Sequence, residues 1–87
     1  MLIPDLVRVL SSEFEKAREA GLIDTYGIEV GGEGPGRRRT VLVSISYRGK
    51  RWSERFDDWR TRFGSTPTVR AGAVEMVRAA RKESLAV

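Results

Sequence analysis

Thr40-Val41-Leu42-Val43-Ser44-Ile45-Ser46-Tyr47 is the stretch on which the fold turns. Val41, Val43, Ile45 and Tyr47 alternate with Leu42, Ser44 and Ser46, the period of two that sends successive side chains to opposite faces of a strand. β-Branched and aromatic residues dominate one face, so the segment reads as the central strand of a sheet.

Turn residues bound it on both sides. Arg48-Gly49 follows at once and predicts a tight hairpin into a further strand from about Lys50 to Phe56. Upstream, Tyr26, Ile28 and Val30 alternate with Gly27 and Glu29, which predicts another strand. Between these two strands lies Gly31-Gly32-Glu33-Gly34-Pro35-Gly36, read together with Arg37 as a flexible hairpin loop over 31–37.

Beyond Phe56 two periods compete. Trp52, Phe56, Trp59 and Phe63 are spaced four, three and four apart, as on a helix, and Ser53 could cap one over 54–63. The pairing with the preceding strand favours a strand to about Phe56, followed by an irregular or helical turn that carries Trp59 and Phe63.

Helices are expected outside the strands. Pro4 suits a first helical position, Leu6, Leu10, Phe14 and Ala17 form one stripe, and Gly21 offers a left-handed stop, predicting a helix over about 4–20. Thr66-Pro67 is a cap followed by a first-turn proline, and Val69, Ala73, Met76, Val77 and Ala80 share a stripe, predicting a helix over about 67–83 with a frayed tail over 84–87. On that helix Arg70, Arg78, Arg81 and Lys82 gather on a second, basic side.

The expected fold is therefore α+β: helix, three-stranded antiparallel sheet, helix (α-β-β-β-α), with the two helices on one face of the sheet. At 87 residues the chain allows one core, so 1–87 is read as a single domain. In element order this layout is similar to the double-stranded RNA-binding domain, which carries Gly-Pro-x-His in its first hairpin loop where this chain has Gly34-Pro35-Gly36-Arg37. The resemblance implies the fold. It departs from that family at the entry to the last helix, where a lysine-rich stretch is replaced by Thr66-Pro67-Thr68-Val69-Arg70, and in the first helix, which carries Glu13, Glu15 and Glu19.

Composition narrows the chemistry. The chain has no cysteine and no histidine, which excludes disulfides, thiolate catalysis, Cys/His zinc sites and histidine-based triads. Asp57 and Asp58 diverge on any regular element, Glu13 and Glu15 do not share a helical face, and the glycine-rich loop runs into a strand where a dinucleotide fingerprint needs a helix. No enzyme activity, cofactor or metal is therefore expected. No apolar run approaches the roughly 20 residues that span a bilayer, and the first residues lack a basic leader and apolar core, so a cytoplasmic protein without a membrane partner is expected.

Charge is unevenly distributed. Residues 1–30 hold three basic and six acidic side chains, a net −3, whereas 31–87 hold thirteen and six, a net +7. Thirteen of the sixteen basic residues are arginine, whose planar fork suits phosphates and carboxylates. Arg37, Arg38 and Arg39 leave the glycine-rich loop, Arg48, Lys50 and Arg51 surround the second hairpin, and Arg70 opens the last helix. The two hairpins belong to opposite ends of the sheet, about 25 Å apart for eight strand residues. These residues are the expected nucleic-acid-binding positions on a small, non-enzymatic, arginine-rich module.

The rival expectation is a protein-interaction module of the adaptor, inhibitor or assembly-factor kind that phages and mobile elements encode. It would use Trp52, Trp59, the basic surface or an edge strand, and an edge strand also admits a homodimer.

Overall fold

The computed structural model describes residues 3–32, 40–56 and 65–85. In chain order they form helix α1 (Ile3–Glu19), strands β1 (Thr25–Gly31), β2 (Thr40–Tyr47) and β3 (Lys50–Arg55), and helix α2 (Thr66–Leu85). The three strands make one antiparallel sheet in the order β1-β2-β3, which puts the expected strand in the centre. Both helices pack on the sheet and on each other. The architecture is α-β-β-β-α, as the alternation and the two stripes predict.

Each element begins and ends for a local reason. α1 stops in a paired reverse turn in which the Gly21 N–H donates to the Arg18 carbonyl at 3.1 Å and the Leu22 N–H to the Ala17 carbonyl at 2.9 Å. Gly21 sits there at φ 74°, a left-handed conformation that costs glycine nothing and other residues about 1–2 kcal/mol. At the second hairpin Arg48 and Gly49 have φ of 52° and 79°, the pair of positive angles that defines a type I′ turn and matches the twist of the flanking strands.

Three boundaries differ from the sequence expectation. Gly31 is the last residue of β1, paired with Thr40, rather than the first of the loop. The remainder of the 31–37 loop beyond Gly32 lies outside the described residues. β3 ends at Arg55, and of the ambiguous 54–63 stretch only Glu54 and Arg55, in the strand, and buried Phe56 are described. α2 continues through Ser84 and Leu85, where a frayed tail is expected from sequence. The Trp52 indole N–H donates to the Glu83 carboxylate and ties the last turn of α2 to β3.

The core lies between the helix layer and one face of the sheet. Val41, Val43 and Ile45 of β2 are buried, as are Leu6, Leu10 and Phe14 of α1, Val69, Ala73 and Met76 of α2, and Phe56 just past β3. Phe14 is the hub, stacked on Tyr26 at 6.2 Å between ring centroids and edge-on to Phe56 at 6.5 Å.

The opposite face of the sheet is small and polar. Register places Thr25, Gly27 and Glu29 of β1 beside Ser46, Ser44 and Leu42 of β2, which in turn face Arg51, Ser53 and Arg55 of β3. Hydroxyl contacts stitch it across both ladders, Thr25 to Ser46 at 2.6 Å and Ser44 to Ser53 at 3.0 Å.

Glu54 belongs to the helix-facing set of β3, across from Val43. Partial desolvation raises its carboxyl above the ordinary glutamate range even though the residue remains exposed, because the charged form is disfavoured where water is partly excluded. The folded state therefore holds its proton more tightly than the unfolded state, and the carboxylate detracts from stability at pH values above its folded pKa. Glu54→Gln is expected to raise the melting temperature slightly at pH 7, with the gain over wild type fading as the pH falls through the carboxylate range near 4. Paired thermal melts across pH 3 to 8 check it; a gain that grows on acidification would contradict the sign.

Candidate nucleic-acid interface

The β2–β3 hairpin is the most cationic described end of the molecule, and three independent elements build it. The I′ turn sets Arg48 at the tip, where its backbone N–H donates to the Asp24 carboxylate at 2.9 Å. Asp24 is anchored in turn, its own N–H donating to the Ser46 carbonyl at 2.8 Å. The tip is thereby pinned to the start of β1.

Strand register distributes the neighbouring cations. Lys50 lies across from Tyr47 and Arg51 across from Ser46, so adjacent residues leave the strand on opposite faces. Arg55, four residues from Arg51, shares the open polar face with it. The hairpin thus projects positive charge along its tip and down one side of the sheet.

α2 adds a member from far along the chain. The Arg81 guanidinium lies 5.0 Å from the centroid of the Tyr47 ring, and Arg48 lies 5.5 Å from the same centroid. Arg81 also donates to the Leu22 carbonyl at 3.2 Å. Tyr47 therefore holds two guanidinium groups by cation–π attraction, each contact worth about 0.5–1 kcal/mol at an exposed position. Like charges are kept close by a shared aromatic support.

Ion pairing separates this group from the other cations. Arg8 pairs with Asp5 at 2.6 Å, Lys16 with Glu13 at 3.7 Å, Arg18 with Glu15, and Arg78 with Glu75 at 2.9 Å, all within one helix. Arg70 pairs with Glu13 of α1 at 3.3 Å. Among the described residues Arg48, Lys50, Arg51, Arg81 and Lys82 form no ion pair with a carboxylate.

The acidic amino-terminal helix is similarly engaged with its own surroundings. Hydrogen bonding from Arg18, and then from Tyr26, lowers the Glu15 carboxyl below its ordinary range, and the same contact raises the Tyr26 hydroxyl. Lying at the surface, this network carries little energy. Its effect is on the distribution of charge, since α1's carboxylates answer cations on α1 and at the start of α2 rather than at the hairpin.

The residues singled out from sequence fall into four groups, Trp52 being the last. Arg48, Lys50 and Arg51 come together at the hairpin. Arg70 stands 11 residues from Arg81 on α2, about 16 Å along the axis, with its charge met by Glu13. Arg37, Arg38, Arg39 and Trp59 lie outside the described residues.

Trp52 is half-buried against the core, and its polar edge is taken by Glu83, so both ends of this side chain are engaged internally. Two positions absent from the expected set join the hairpin. Arg55 was legible, since it is two strand steps from Arg51. Arg81 was not, because no sequence spacing relates it to Tyr47, 34 positions away.

Among the described residues no group of three or more potential ligands could hold a metal ion, and no helix is long and apolar enough to cross a membrane. No family model, curated protein or solved structure matches this chain.

Proposed function

We propose that the chain is a small non-enzymatic module that binds nucleic acid through its β2–β3 hairpin end, with Arg48, Lys50, Arg51 and Arg81 contacting phosphates. The single observation that carries the reading is the division of the cations: Arg8, Lys16, Arg18, Arg70 and Arg78 each pair with a carboxylate, whereas Arg48, Lys50, Arg51 and Arg81 form no ion pair among the described residues, the Asp24 carboxylate meeting Arg48 through its backbone N–H. A cluster of unmatched guanidinium and ammonium groups repels itself and gains most from a polyanion, which neutralises it and releases condensed counterions.

The arrangement suits backbone contact rather than base reading. Cations splayed over a tip and one sheet face can follow a row of phosphates, while the open face otherwise offers serine and threonine hydroxyls, Gly27, Leu42 and, at the end away from the hairpin, the Glu29 carboxylate. No aromatic platform for stacking bases stands on that face among the described residues. Affinity is expected to be largely independent of sequence. Arg37, Arg38 and Arg39, which precede β2 in the chain, would extend the contact on a long ligand, and Arg70 would add to it only by leaving Glu13.

Fluorescence anisotropy with labelled duplex DNA, duplex RNA and single strands tests the reading. Binding at low salt should weaken linearly in log–log form as salt rises, by about 0.9 per phosphate contact on duplex DNA. Absence of binding to all of these ligands at low salt removes the proposal.

A further inference from the structure

A second surface, away from the hairpin tip, lies between the two helices. Leu22 and Val74 are 38% and 45% exposed, two of four large apolar residues left open to solvent among the described residues, and both line the same groove of about 470 Å³. Buried Ala17, Ala73 and Val77 make its floor, and Ala20 also lines it. Alanines along a groove let another helix axis approach to about 8–10 Å, the spacing of packed helices.

The charge around this groove is one-sided. Lys16, Arg78 and Arg81 stand on its rim against Glu13 alone. Glu13 already holds Arg70 and Lys16. Arg78 is bound only by an exposed pair with Glu75, one turn away on its own helix, which is weak enough to exchange for a better partner. An apolar strip flanked by cations is complementary to a helix with apolar residues at i, i+3 or i+4 and i+7 and carboxylates beside them.

We propose that this groove docks an acidic amphipathic helix of a partner protein. The span from Ala73 to Arg81 is about 12 Å along α2, so two to three turns of the guest would lie against it. The site stands independently of nucleic-acid binding, although Arg81 borders both surfaces. A module with both would hold a protein and a polyanion at once.

The probe is a designed, fluorescently labelled peptide of about 16 residues, or 24 Å of helix, with leucines on one stripe and glutamates flanking it. Two controls accompany it, a version with lysine for every glutamate and a scrambled sequence of the same composition. The acidic peptide should bind saturably, weaken in high salt, and shift the backbone amide signals of Ala17, Ala20, Leu22, Val74 and Val77. The lysine peptide, and the protein variant Val74→Glu, should each bind at least about tenfold more weakly. Arg78→Glu, at a still more exposed position, provides a second variant should Val74→Glu melt differently from wild type.

Equal binding of the scrambled or lysine peptide, no saturable binding of the acidic one, or signal changes confined to Arg48 and Gly49 would overturn the proposal. So would a dimer in light scattering that Val74→Glu dissociates, since the occupant would then be a second copy. Nucleic-acid binding that survives Val74→Glu shows that the groove and the hairpin fail or succeed separately.

Discussion

Phe14→Ala is expected to destabilise the fold by about 3–5 kcal/mol, the usual loss for truncating a buried phenylalanine. Phe14 is fully buried on the inner stripe of α1 and touches both Tyr26 of β1 and Phe56 beyond β3, so one ring joins the first helix to both edges of the sheet. Removing it opens a cavity between the helix and the rings of Tyr26 and Phe56. Against a total of roughly 4–13 kcal/mol for a chain of this length, much of the stability would be lost. At about 4–8 °C per kcal/mol the melting temperature should fall by at least about 12 °C. Val43→Ala, from the buried face of β2, should shift it the same way by less. A Phe14→Ala protein that melts within about 3 °C of wild type would contradict the packing described for α1.

Nucleic-acid affinity should collapse in the triple variant Arg48→Asn, Lys50→Ser, Arg51→Ser while the fold is kept. Arg48 occupies φ 52°, which asparagine tolerates better than most residues, so this substitution preserves the I′ turn. Arg48 meets Asp24 through its backbone N–H, a contact that survives the change. Each phosphate contact contributes a salt slope of about 0.9, or about eightfold in affinity at 0.1 M salt relative to 1 M. Losing three should cost roughly two to three orders of magnitude and reduce the slope by about 3. Anisotropy titrations between 50 and 300 mM salt, with circular dichroism melts alongside, give both quantities. A variant that binds with unchanged slope would mean that the hairpin does not meet phosphates.

The two predictions differ in how they could be reached. Phe14 was identifiable from spacing alone, because Leu6, Leu10, Phe14 and Ala17 recur at helical intervals and a stripe of that kind has to be buried. The hairpin cations were identifiable as residues, since Arg48-Gly49 stands between two strand patterns. That Arg48, Lys50 and Arg51 form no ion pair among the described residues was not. Arg70 shows the difference, because in sequence it is one more member of a basic helix side, whereas in the fold it faces Glu13, 57 positions earlier.

Period, cap and turn chemistry, all set by neighbours a few positions apart, were enough to determine the order of elements, the central place of Thr40 to Tyr47 and the stripe that forms the core, and composition alone excluded cysteine and histidine chemistry. Which cations answer which carboxylates, the seating of Arg81 on Tyr47, the tie from Trp52 of β3 to Glu83 of α2, and the groove between the helices were decided only by tertiary structure. The reason is physical: local conformation depends on short-range sterics and hydrogen bonding, whereas ion pairs, stacked rings and grooves join residues that approach each other only when both helices settle on one face of the sheet.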